Sequence, residues 1–104
     1  MTIEQPKLSV VEPVLFQVLN ALSDPTRLRI VQMLHASKSE LRCMDFHECL
    51  KVTKPTLSHH FAILRESGIM ATRVEGTAKY NSLDSKNLQR RFPGLLDSIL
   101  KALK

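Results

Sequence analysis

Apolar residues recur along this chain at two spacings, and the change from one spacing to the other outlines its elements. Val11, Val14, Leu15, Val18, Leu19 and Leu22 fall at steps of three and four, the period of one helix face, in a helix entered through Glu12 and Pro13. Ser23-Asp24-Pro25 ends that helix and begins another, because Asp24 can cap free backbone N–H groups and Pro25 has no N–H to lose at a first helical position. The second helix is expected from Pro25 to about His35. Its Leu28, Ile30, Val31, Met33 and Leu34 cover so much of the circumference that it belongs near the centre of the core. After the polar stretch from Ala36 to Glu40, a short third helix is expected over Leu41 to Leu50, with Phe46 and Leu50 on its inner face.

A three-residue break from Lys51 to Thr53 precedes the fourth helix, which Thr53 can cap, Pro55 can open and Gly68 can terminate after Ser67. Leu57, Phe61 and Leu64 form its apolar stripe, opposite small polar and basic residues. Past Gly68 the pattern becomes extended, from Ile69 to Glu75 and from Ala78 to Leu83, with Gly76-Thr77 between: a β-hairpin. A last helical stretch begins at Ser85, is interrupted at Pro93-Gly94, and resumes with Leu95, Leu96, Ile99, Leu100 and Leu103. The expected fold is mainly α with one small hairpin: two helices joined by a tight turn, then a wing, which is a winged helix-turn-helix.

One hundred and four residues fit one domain, residues 1–104, with Met1 to Ser9 reading as a loose tail. The 43% hydrophobic and 24% charged balance is that of a folded globular chain. No apolar run approaches the roughly 18 residues of a membrane span, and the start lacks a secretion signal, so a soluble cytoplasmic protein is expected. Asp24, Asp45 and Asp84 are explained as caps or solvated groups. No Ser-His-Asp arrangement, paired carboxylates or Gly-rich phosphate loop stands out, so neither catalysis nor a cofactor is expected.

The net charge of +5 is unevenly spread. Residues 1–40 hold four cations and four anions, whereas residues 51–80 hold five cations against two anions, and residues 81–104 the same. Excess positive charge on the second half of a helix-turn-helix suits a polyanion, and double-stranded DNA is the natural partner. The apolar stripes at the two chain ends either close the monomer's own core or pack against a second copy; the reading adopted is a homodimer, which would set two recognition helices in register. A winged-helix adaptor that binds only another protein is the alternative, and it would not need the positive balance in 51–80.

The strings ALSDPTRLRIVQML at 21–34, TKPTLSHHFAILRESGIM at 53–70 and RVEGTAKYNSL at 73–83 together resemble the ArsR/SmtB family of winged-helix transcriptional regulators. The resemblance implies a homodimeric repressor that leaves its operator when an inducer, often a metal ion, binds. It places Thr53, Lys54, Thr56, Ser58 and His59 toward the major groove or its flanking phosphates. Their chemistry agrees, since hydroxyls donate and accept, a Thr methyl meets a thymine methyl, and Lys54 can reach phosphate or guanine. Arg73 and Lys79, placed symmetrically about Gly76, are expected to hold the wing on DNA, with ordinary surface charge as the alternative. His60 reads first as a packing histidine and Arg65 as a phosphate contact or a solvated charge.

The family's sensory residues do not carry over. The arsenic-type Cys-x-Cys falls on Arg42 and Met44, a further cysteine position falls on His47, and no His follows His60 to complete a zinc-type site. Cys43 and His47, four residues apart, share a helix face and make a weak candidate metal pair that lacks further ligands. Cys43 and Cys49 lie about 240° apart around a helix, which excludes a disulfide between them within it.

Overall fold

A computed structural model describes residues 12–103; the expected tail, Val11 and Lys104 lie outside the described residues. In chain order the elements are α1 (Leu15–Ala21), α2 (Pro25–Ser37), α3 (Cys43–Leu50), α4 (Lys54–Glu66), β1 (Met70–Glu75), β2 (Ala78–Leu83), α5 (Ser85–Arg91) and α6 (Leu95–Ala102). The two caps expected from sequence both form. The Asp24 carboxylate accepts from the Arg27 amide at 3.0 Å, and the Thr53 hydroxyl accepts from the Thr56 amide at 3.3 Å. Gly68 and Gly94 take positive φ at the end of α4 and the start of α6, where a side chain would be strained.

Ile30, Val31 and Leu34 of α2 are buried at the centre, and Leu57, Phe61 and Leu64 of α4 pack on them together with Val18, Ala21, Ile69 and Leu88. Phe46 of α3 is fully buried, and its ring meets that of Phe61 edge-on at 5.2 Å between centroids. That aromatic contact joins the two helices of the helix-turn-helix across the turn at Lys51 to Thr53. Leu50 is only half-buried.

Three helix boundaries differ from the sequence reading by two residues or more. Helix α1 begins at Leu15, with Pro13 buried before it. Helix α2 runs on to Ser37 and is stopped by Lys38, a non-glycine residue in the left-handed conformation at φ 55. Helix α3 begins at Cys43 instead of Leu41, because the Arg42 amide donates to the Asp45 carboxylate at 2.7 Å and closes the first turn there. Leu41 pairs with the wing instead, exchanging both backbone hydrogen bonds with Asn81 of β2, at 2.9 and 2.8 Å. Asn81 is buried, and its side chain accepts from the Thr72 hydroxyl and donates to the Leu41 carbonyl. The wing is thereby stitched to the segment that leads into α3.

Candidate nucleic-acid interface

Once Leu57, Phe61 and Leu64 are turned inward, the helical period leaves Thr53, Lys54, Thr56, Ser58 and His59 on the outside of α4, and all five are exposed. Thr53 is partly committed as the cap: it also donates its hydroxyl to the Thr56 hydroxyl at 2.9 Å. The Thr56 hydroxyl, having accepted that bond, keeps its own proton for an outside acceptor.

Lys54 and Ser58 share an open groove of about 630 Å³ with Lys79 and Thr77 of the wing tip and with Arg42 and His47 of the α3 segment. The groove joins cations from three parts of the chain beside the exposed face of α4. Arg42 is the residue that the sequence reading passed over, since it figured there only as a replaced cysteine. Its guanidinium touches the Met44 sulfur at 3.4 Å and, among the described residues, forms no ion pair. Cys43 and His47 line the same groove, both cysteines are free thiols, and among the described residues no three His, Cys, Asp or Glu side chains converge.

The wing separates the two cations that sequence had paired. Its register sets Arg73 opposite Tyr80 and Val74 opposite Lys79. Residues directly opposite share a face and neighbours along a strand alternate, so Arg73 and Lys79 project to opposite sides. Lys79 opens on the groove. Arg73 lies over the Tyr80 ring at 4.7 Å and is held by two carboxylates: Nε and Nη2 donate to Glu40 at 2.9 and 2.7 Å, and Nη1 donates to Glu75 at 2.8 Å. The bonds from Arg73 hold the Glu40 carboxyl below its ordinary value, and those to Glu40 and Glu75 push the Arg73 guanidinium up. Arg65 is half-buried and, among the described residues, has no ion-pair partner.

His60 stands at the inner edge of α4, with its side chain 12% exposed. Arg27 Nη1 donates to its Nδ1 at 3.1 Å, while Arg27 Nε donates to the Ala21 carbonyl at the end of α1. One guanidinium therefore ties α1, α2 and α4 together, which gives the DPTR turn its structural purpose. Burial lowers the His60 pKa from the ordinary 6.5; the Asp24 carboxylate, 4.0 Å away, works against that shift, while Arg27 and His59 add to it. Burial would raise the Asp24 carboxyl, yet the Arg27 amide and guanidinium and the nearby His60 leave it below its ordinary value.

A histidine whose pKa is lower folded than unfolded contributes stability above the unfolded value and loses it as the pH falls through the folded one. Denaturant melts between pH 7.5 and 5 should therefore show a loss of stability that is smaller in His60→Gln. Equal losses in both proteins would show that another group sets the slope.

Residues 22–73 match the family described as a helix-turn-helix domain. The chain is 41% identical over 83 residues to the HTH-type transcriptional regulator YceK of Bacillus subtilis, covering 80% of this chain and 83% of that protein. It is 33% identical over 86 residues to the arsenical resistance operon repressor of Staphylococcus aureus, covering 83% and 73%. Its fold is similar to the crystal structure of the transcriptional regulator HlyU of Vibrio vulnificus, with a TM-score of 0.63, 32% identity, and 82% and 85% of the two chains covered.

Proposed function

The chain belongs to the ArsR/SmtB family of winged helix-turn-helix transcriptional repressors, which bind DNA, and from that premise we propose that it grips its operator as a cytoplasmic homodimer through the exposed face of α4 and the groove beside it. The carrying observation is the convergence of Lys54, Ser58, Lys79 and Arg42 on one groove. In this reading Thr56, Ser58 and His59 meet base edges in the major groove, Thr53 caps α4 and presents its first turn to a phosphate, and Lys54, Lys79 and Arg42 neutralise phosphates. The exposed face of α4 itself carries no Arg to read guanine with two bonds, so hydroxyl contacts and DNA shape carry more of the specificity. A protein-binding adaptor would have no use for three cations around one groove, and nothing on this face favours that reading.

Selection of bound fragments from genomic DNA, followed by salt titration on the recovered operator, tests the assignment. Each phosphate contact contributes a slope of about 0.9 in log affinity against log salt. Lys54→Ala and Lys79→Ala should each flatten the slope by about that much and weaken operator and random DNA alike. Ser58→Ala and His59→Ala should instead lower the preference for operator over random sequence. Unchanged retention in all four variants would remove this face from the interface.

Release by an inducer needs chemistry other than the arsenic-type Cys-x-Cys, because those positions hold Arg42 and Met44. Cys43 and His47 line the groove with one thiol sulfur and one imidazole nitrogen, beside the Met44 thioether.

A further inference from the structure

Arg73 is the cation that the wing does not offer to the groove. Its guanidinium is clasped edge-on by both oxygens of Glu40 and from the side by Glu75, with the Tyr80 ring beneath it. Glu40 lies 33 residues away in the chain, on the segment leading into α3, and the Leu41–Asn81 pairing next to it holds that segment against β2. The fork is therefore carried on a fixed frame and does not depend on the chance meeting of two long side chains. Two-point bonding between guanidinium and carboxylate is also the geometry by which an arginine takes a phosphate. Glu40 consequently occupies the atoms of Arg73 that a DNA phosphate would use. One guanidinium between two carboxylates leaves this three-residue cluster net negative, which repels a backbone phosphate.

We infer that Glu40 and Glu75 withhold Arg73 from DNA phosphates, keeping sequence-independent affinity low while Lys79 alone serves the opposite face of the wing. Arg73 is then a positioning residue: it ties β1 to the segment before α3 and makes no phosphate contact of its own. The inference rests on the DNA-binding reading of the chain and adds to it a reason why a basic wing does not hold any DNA it meets. A wing arginine free to bind phosphate strengthens operator and random DNA equally and so yields no discrimination. A sequestered one leaves discrimination to the face of α4.

The test is a salt titration on operator and random duplexes with four proteins: wild type, Arg73→Ala, the double variant Glu40→Gln/Glu75→Gln, and the triple variant that adds Arg73→Ala to that pair. In the double variant the freed arginine should raise random-DNA affinity about tenfold at low salt and steepen the slope by about 0.9, one additional phosphate contact. Arg73→Ala alone should leave the slope as in wild type, and the triple variant should lose the gain. Glu75→Gln alone, the milder change, should give a partial gain of the same sign if the double variant does not fold. An Arg73→Ala slope flatter by about 0.9 would show the arginine already on phosphate and overturn the inference. So would a double variant without gain, or a triple variant that keeps the gain, since the effect would then be general charge. Failure of wild type to retain any duplex removes the DNA-binding reading itself, whereas failure of the fork shows only in the variants while wild type still binds.

Discussion

Phe16→Glu combined with Leu19→Glu should leave the chain folded, halve its mass in sedimentation, and reduce operator affinity by about a hundredfold or more. Helix α1 turns Val18, Ala21 and Leu22 into the core, yet Leu15 and Leu19 stay 47% exposed and Phe16 70% exposed. Burying one face of a helix does not require a second apolar face, so these side chains need another surface. On α6, Leu96 is buried, Leu95 and Ile99 are only half-covered beside Val18 and Leu22, and Leu100 is half-buried. Part of the two stripes therefore closes the monomer's core, and the exposed outer part of α1 is the face that the proposed homodimer would use. Linked binding of two half-sites multiplies affinity by about 10² to 10⁴ over a single site, and this is what a monomer would forfeit. Neither residue lies on α4 or the wing, so the loss would come through assembly. Should the double variant sediment like wild type, the exposed face of α1 is not the subunit contact.

Much of this fold was legible because its signals are local. Asp24-Pro25 and Thr53-Lys54-Pro55 announce helix starts within three residues. Leu57, Phe61 and Leu64 repeat at helical period, and Pro93-Gly94 breaks the last helix where the pattern breaks. What stayed hidden is nonlocal or depends on a single residue of register. A one-residue pairing such as Leu41 with Asn81 leaves no periodicity, so Leu41 read as helical. Arg27 looked like any charge on α2 until the fold brought Ala21 and His60 to it. The hairpin itself is legible, but which face each wing cation takes depends on counting from the turn. Arg73 and Lys79 are symmetric about Gly76, but the turn is Gly76-Thr77, so the true partner of Arg73 is Tyr80 and Lys79 falls on the other face. Glu40 carries no local sign that it reaches the wing at all.

The largest loss of stability is expected from Phe46→Ala, about 4 kcal/mol, because removing a buried phenylalanine forfeits its transfer free energy and leaves a cavity that the surroundings only partly fill. Phe46 is 0% exposed, and it stands alone on its helix: among α3 residues no other side chain is fully buried. An eight-residue helix is too short to persist by its own propensity, so its docking hangs on that ring and on the edge-to-face contact with Phe61. For a domain of this size each kcal/mol shifts the melting temperature by about 4–8 °C, so urea and thermal melts should both register the change well outside error. Milder replacement by leucine, which keeps most of the volume but not the aromatic edge, should cost about a third as much. The functional consequence follows from the same contact. Arg42 and His47 ride on the α3 segment and Lys54 and Ser58 on α4, so loosening Phe46 from Phe61 spreads the cations of the groove even in molecules that remain folded. Operator and random-DNA affinity of Phe46→Leu, measured well below its melting temperature, should therefore both fall. An Ala variant less than about 1 kcal/mol below wild type would mean that the turn between α3 and α4 is held by something other than this pair of rings.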